Sequence, residues 1–114
     1  MRKQLCYVLG FVIYASAAHA DALMSQKMLY GKWCSTGGSE HFTAKTLTVV
    51  RARERKPIVF KVDRYDANDD TVTVYWTHTD GTKMVTEFSE FSADGRRMVQ
   101  IKNDAGPRRE FHRC

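Results

Sequence analysis

At 114 residues, 43% of them hydrophobic, the chain has enough apolar surface for one domain and not for two. Its 18 basic and 13 acidic side chains give a formal +5, but Arg2 and Lys3 at the extreme N-terminus supply two of those positive charges. Without them 16 basic face 13 acidic side chains, a formal +3, so total charge makes no case for nucleic acid, which is not expected as a partner and could be argued only from clustering.

The chain opens Met-Arg-Lys-Gln, continues as an apolar run from Leu5 to Ala18, and places Ala18-His19-Ala20 before Asp21. A basic start, an apolar middle and an A-x-A site in that order predict a signal peptide over residues 1–20, cleaved after Ala20, and hence a periplasmic protein. The run is shorter than the roughly twenty apolar residues that span a bilayer, so no membrane span is expected. Cys6 lies inside the run and would leave with it, which argues against a lipid-anchored mature terminus. Residues 21–114 are then one small domain, expected to be a monomer.

Within that domain Cys34 and Cys114 are the only cysteines. In an oxidising compartment an isolated pair predicts one disulfide, and no C-x-x-C spacing suggests a metal or redox site.

In chain order, Met24 and Met28 lie four apart behind Asp21, and Gly31 follows, which predicts a short helix over 21–29. From Trp33 the helical period gives way to eight short alternating segments separated by turn residues. The first runs from Trp33 to Gly37-Gly38, the second from Ser39 to Thr43, and the third from Thr46 to Ala52 with Leu47 and Val49 on one face. The fourth follows Pro57, with Ile58, Phe60 and Val62 inward. After the loop Asp66-Ala67-Asn68-Asp69-Asp70, Val72, Val74 and Trp76 alternate with polar neighbours in the fifth. Asp80-Gly81 and Asp94-Gly95 bracket the sixth, Thr82 to Phe91, as turns. Phe88 and Phe91, three apart, predict a bulge near Ser89 and Glu90. The seventh carries Val99 and Ile101 inward, and after the loop 103–107 the eighth carries Phe111 toward Cys114.

Short turns between consecutive strands imply an antiparallel meander, and eight strands imply closure into an up-and-down barrel, an all-β fold. If Trp33 and Phe111 point in, Cys34 and Cys114 point out where the first and last strands meet, so the disulfide would lock the seam. The bulky inward side chains, Ile101 among them, predict a filled barrel without a ligand cavity.

Gly31-Lys32-Trp33 resembles the G-x-W that opens lipocalins. The resemblance implies an arginine near the end of the last strand stacked on that tryptophan, and Arg113 stands where it would be. As an exported small β-barrel with a disulfide, the chain is also similar in architecture to the periplasmic inhibitors of C-type lysozyme, without their loop motif: Ser35 through Ser39 reads Ser-Thr-Gly-Gly-Ser. Trp33-Cys34, the stretch from Thr86 to Arg96, and Gly106-Pro107-Arg108-Arg109 with Arg113-Cys114 resemble small exported β-proteins of alphaproteobacteria, a likeness that implies no activity.

No catalytic signature is present. His41, His78 and His112 fall on different strands in no ligand spacing and read as surface residues, and Glu87 and Glu90 read as outward residues rather than an acid/base pair. No cofactor or metal is expected. The uneven feature is charge: Arg51, Arg53, Arg55 and Lys56 gather at the turn between strands three and four, at the same end as Arg108 and Arg109 between seven and eight. The acidic loop Asp66, Asp69, Asp70 falls at the other end. These residues point first to a non-enzymatic periplasmic interaction protein whose basic end meets an acidic protein or envelope component. A lipocalin-like carrier of a small apolar ligand is the second reading, and a lysozyme-inhibitor-like or host-facing survival factor the third.

Overall fold

The computed structural model describes residues 26–103 and 108–114; the expected signal peptide, Asp21 and Met24 lie outside the described residues. Residues 26–29 form a single helical turn, the end of the short helix expected there. Eight strands follow: β1 (Gly31–Ser35), β2 (Gly38–Phe42), β3 (Thr46–Arg51), β4 (Pro57–Ala67), β5 (Thr71–Thr77), β6 (Lys83–Ser89), β7 (Arg97–Asn103) and β8 (Arg109–Arg113). Each pairs antiparallel with the next, and β8 pairs back onto β1 through Trp33↔Arg113 and Cys34↔His112, closing an eight-stranded up-and-down barrel. No helix among the described residues is long and apolar enough to cross a membrane.

Turn chemistry sets the connections. Gly81 and Gly95 sit at positive φ after Asp80 and Asp94, whose carboxylates accept from the backbone N–H groups of Thr82 and Arg96 at 2.9 and 3.0 Å. Gly38 opens β2 at φ 137°, where a Cβ would lie 2.0 Å from the Val50 carbonyl oxygen, so only glycine lets β2 enter beside β3.

Period-two alternation places the core. Trp33, Phe42, Leu47, Phe60, Val62, Val72, Val74, Trp76, Phe88 and Phe111 are buried, and Ile58 packs against them. Two extra residues shift this alternation. Val62 pairs with Trp76 and Arg64 with Tyr75, so Asp63 is inserted into β4 and Tyr65 takes the next inward place. Glu87 pairs with Lys102 and Phe88 with Gln100, so Ile101 is the inserted residue of β7.

That second insertion corrects two expectations. The irregularity between β6 and β7 lies at Ile101, not at Ser89 and Glu90; Phe91 returns to the core because β6 ends at Ser89 and Glu90 turns the chain at φ 54°. The inward residues of β7 are Met98 and Gln100, the partners of Phe111 and Arg109, while Ile101 is 38% exposed. Val99 is buried on the outer face instead, where Arg108 reaches from before β8 across β7 to Glu90 after β6.

The strand directions divide the barrel into two unlike ends. At the first, the 26–29 turn closes the barrel: Leu29 is buried, and its carbonyl accepts from Trp33 Nε1 at 2.8 Å. Arg113 lies 3.8 Å over the Trp33 ring and donates to the carbonyls of Tyr30, Met28 and Gly95. Gly31 makes room for it, since a Cβ there would sit 2.7 Å from Arg113 Nη1. Cys34 and Cys114 are joined beside this closure with Cα atoms 5.3 Å apart, across the seam as expected. The second end remains open.

Candidate functional site

The open end is ringed by the β1–β2 turn, the 52–56 turn, the 78–82 turn and the start of β8. Beneath it lies a cavity of about 270 Å³ inside the barrel, which corrects the expectation of a filled interior. The reason is that bulk is placed unevenly, on the floor and on one wall. Phe42 and Phe88 stack edge to face at 5.3 Å and Phe88 on Phe111 at 6.2 Å, forming a floor, whereas the inward positions above are the smaller or polar Gly38, Glu40, Val49, Thr86 and Gln100.

The walls divide by strand. β4, β5 and β6 contribute Phe60, Val74, Trp76 and Met84, with Phe60 and Trp76 centred 4.8 Å apart. Trp76 Nε1 donates to Thr86 Oγ1 at 3.0 Å, which holds the indole in place. His78 continues the inward row of β5, its ring tilted 5.2 Å from Phe60, so it lines the lumen rather than the outer surface. His41 and His112 are exposed as expected. Among the described residues no group of three or more His, Cys, Asp or Glu side chains is arranged to hold a metal ion.

The opposite wall is polar. Glu40 on β2, between Trp33 of β1 and Val49 of β3, is half-buried and faces the cavity. Burial pushes its carboxyl up to about 7, and the nearby positive charge of Arg109 pulls the other way. Gln100, only 3% exposed, pairs with Arg109 at the top of β8. The Arg109 guanidinium lies over the β1–β2 turn, with Nη1 3.0 Å from the position a Cβ on Gly37 would take.

The six basic residues expected at one end separate into three groups. Arg51 pairs with Gly38 and Arg109 lies against Gly37, so these two flank the same turn, and both line the cavity mouth. Arg53, Arg55 and Lys56 are exposed on the 52–56 turn, where Ala52 N–H donates to the Gly37 carbonyl and ties the turn to the mouth. Arg108 leaves the group: its guanidinium is paired with Glu90 on the outer wall.

Glu40, His78, Thr86 and Gln100 are site residues that sequence reasoning passed over. Glu40 was findable, because alternation from the core residue Phe42 puts it on the inward face. Gln100 was not, since its direction depends on the β7 insertion. Compared with known proteins, the chain matches no family model, no curated protein and no solved structure.

Proposed function

We propose that this is a non-enzymatic binding protein of the periplasm, exported by residues 1–20, whose basic open end takes an acidic protein or envelope component. The observation that carries the reading is the convergence of Arg51 and Arg109 on either side of the Gly37-Gly38 turn, with Arg53, Arg55 and Lys56 on the turn bonded to it. The opposite end is occupied by the 26–29 turn and by Arg113, so the open end is the one available for recognition. Clustered exposed arginines favour an acidic surface through charge-assisted hydrogen bonds.

A pull-down from envelope extract with the exported chain as bait tests this reading. An acidic partner that is released by salt and lost on changing Arg53, Arg55 and Lys56 to alanine supports it; a partner that ignores both salt and variant overturns it.

A second reading, a carrier of a small apolar ligand, is favoured by one specific observation, the cavity of about 270 Å³ floored by Phe42 and Phe88. That volume is just below the roughly 300 to 1,000 Å³ of sites for drug-sized molecules, which suits a small ligand.

A further inference from the structure

The lumen combines an apolar wall with a cationic lip. Phe60, Val74 and Trp76 line it from β4 and β5, while Arg51 and Arg109 stand at its opening. A purely apolar ligand would gain nothing from Arg109 or from Arg51, whose guanidinium also faces Glu54 at 3.8 Å, and a cation would have to pass both on entry. Glu40 is the only acidic side chain among the described residues lining the lumen; the other charged or titratable groups there are Arg51 on β3, His78 after β5 and Arg109 on β8. The inward residues of β1, β4, β6 and β7 in this region, Ser35, Phe60, Thr86 and Gln100, are uncharged. Whenever Glu40 is protonated, the permanent charges lining the lumen are Arg51, which Glu54 offsets in part, and Arg109, and an anionic head group is the one attracted.

We propose that the lumen binds a small amphiphilic monocarboxylate, its apolar body against Phe60, Val74 and Trp76 and its carboxylate at the mouth on Arg109. This rests on the carrier reading of the cavity and changes its ligand from apolar to anionic. Glu40 beside the head group adds a pH dependence. Protonated, it is a hydrogen-bond donor to the bound carboxylate; ionised, it repels it.

The test uses the exported chain with octanoate and octanol as probes, titrated by calorimetry and followed through the indole N–H resonances of Trp76 and Trp33. Octanoate is expected to bind at one site roughly tenfold tighter than octanol, the factor that one charge-assisted hydrogen bond supplies. It should move the Trp76 resonance and leave in place that of Trp33, which does not line the lumen and whose indole N–H is held by the Leu29 carbonyl. Arg109→Gln should remove the preference for octanoate while the Trp33 resonance, unchanged, reports an intact barrel. Octanoate stays ionised between about pH 6 and about 8, so its affinity should fall several-fold across that range as Glu40 ionises, and Glu40→Gln should flatten the dependence. Equal binding of octanoate and octanol overturns the inference and leaves the carrier reading standing. No binding of either overturns both, while docking at the 52–56 turn is decided separately by its own variant.

Discussion

The guanidinium of Arg113 lies 3.8 Å over the ring of Trp33, eighty residues earlier in the chain, and the two are opposite each other in the ladder that closes the barrel. The same side chain donates to the Tyr30 and Met28 carbonyls at the end of the 26–29 turn, so one residue joins the first strand, the last strand and the closure of one end. The resemblance of Gly31-Lys32-Trp33 to a lipocalin opening implies this stack, and the local geometry explains it: Gly31 leaves space, Trp33 supplies the ring, and Arg113 satisfies carbonyls a helix end leaves open. Arg113→Ala should therefore lower stability by about 2 to 3 kcal/mol in urea unfolding, and Arg113→Lys should recover less than half of that, because an ammonium has no planar fork.

The Cys34–Cys114 bridge closes a chain segment with a sequence separation of 80. Replacing both cysteines by serine should cost about 4 kcal/mol in the chain-entropy account, read as a lower urea midpoint with the strand content of the circular dichroism spectrum retained. A midpoint unchanged by the double replacement would mean that the ladder and Arg113 alone hold the seam.

Glu40 makes stability depend on pH in a known direction. Its folded-state value of about 7 stands above the ordinary 4.5, so between those values the folded chain holds a proton that the unfolded chain has released. Stability should fall as pH rises through about 4.5 to about 7, by up to about 3 kcal/mol if no other group compensates. Glu40→Gln should match the parent at pH near 4 and exceed it near pH 8. Unfolding curves at the two pH values check this; equal curves for both proteins near pH 8 would show that Glu40 ionises without cost.

Charges at the open end should matter for binding and little for folding. Arg53, Arg55 and Lys56 are exposed, and exposed pairs or tips contribute within about 1 kcal/mol, so their triple alanine variant should melt close to the parent. Arg108→Ala is different in kind: it removes the partner of Glu90 across β7, and it should lower the melting temperature slightly without weakening an acidic partner at the mouth. Melting curves and salt-dependent binding of the two variants separate these effects.

Export is checked at the other terminus. Edman sequencing of the exported protein should begin at Asp21, and a chain retaining Met1 in the envelope fraction would contradict cleavage after Ala20.

Alternation over Val72, Val74 and Trp76, the Asp-Gly turns and the lone pair Cys34 and Cys114 were sufficient by themselves to specify eight antiparallel strands and the bridge at their seam, because each is a local rule or leaves a single pairing. They could not specify the inward face of β7, because one inserted residue, Ile101, exchanges the faces, and insertion is a property of register with β6. The division of the basic residues was equally out of reach: Arg108 and Arg109 are neighbours in sequence, yet one crosses the outer wall to Glu90 and the other lies over Gly37 at the mouth. Tertiary structure alone decided that Phe42, Phe88 and Phe111 floor the barrel while Phe60 and Trp76 stack on one wall, leaving Glu40 to face an open lumen, because packing density depends on which side chains meet across the barrel and not on how many of them the chain contains.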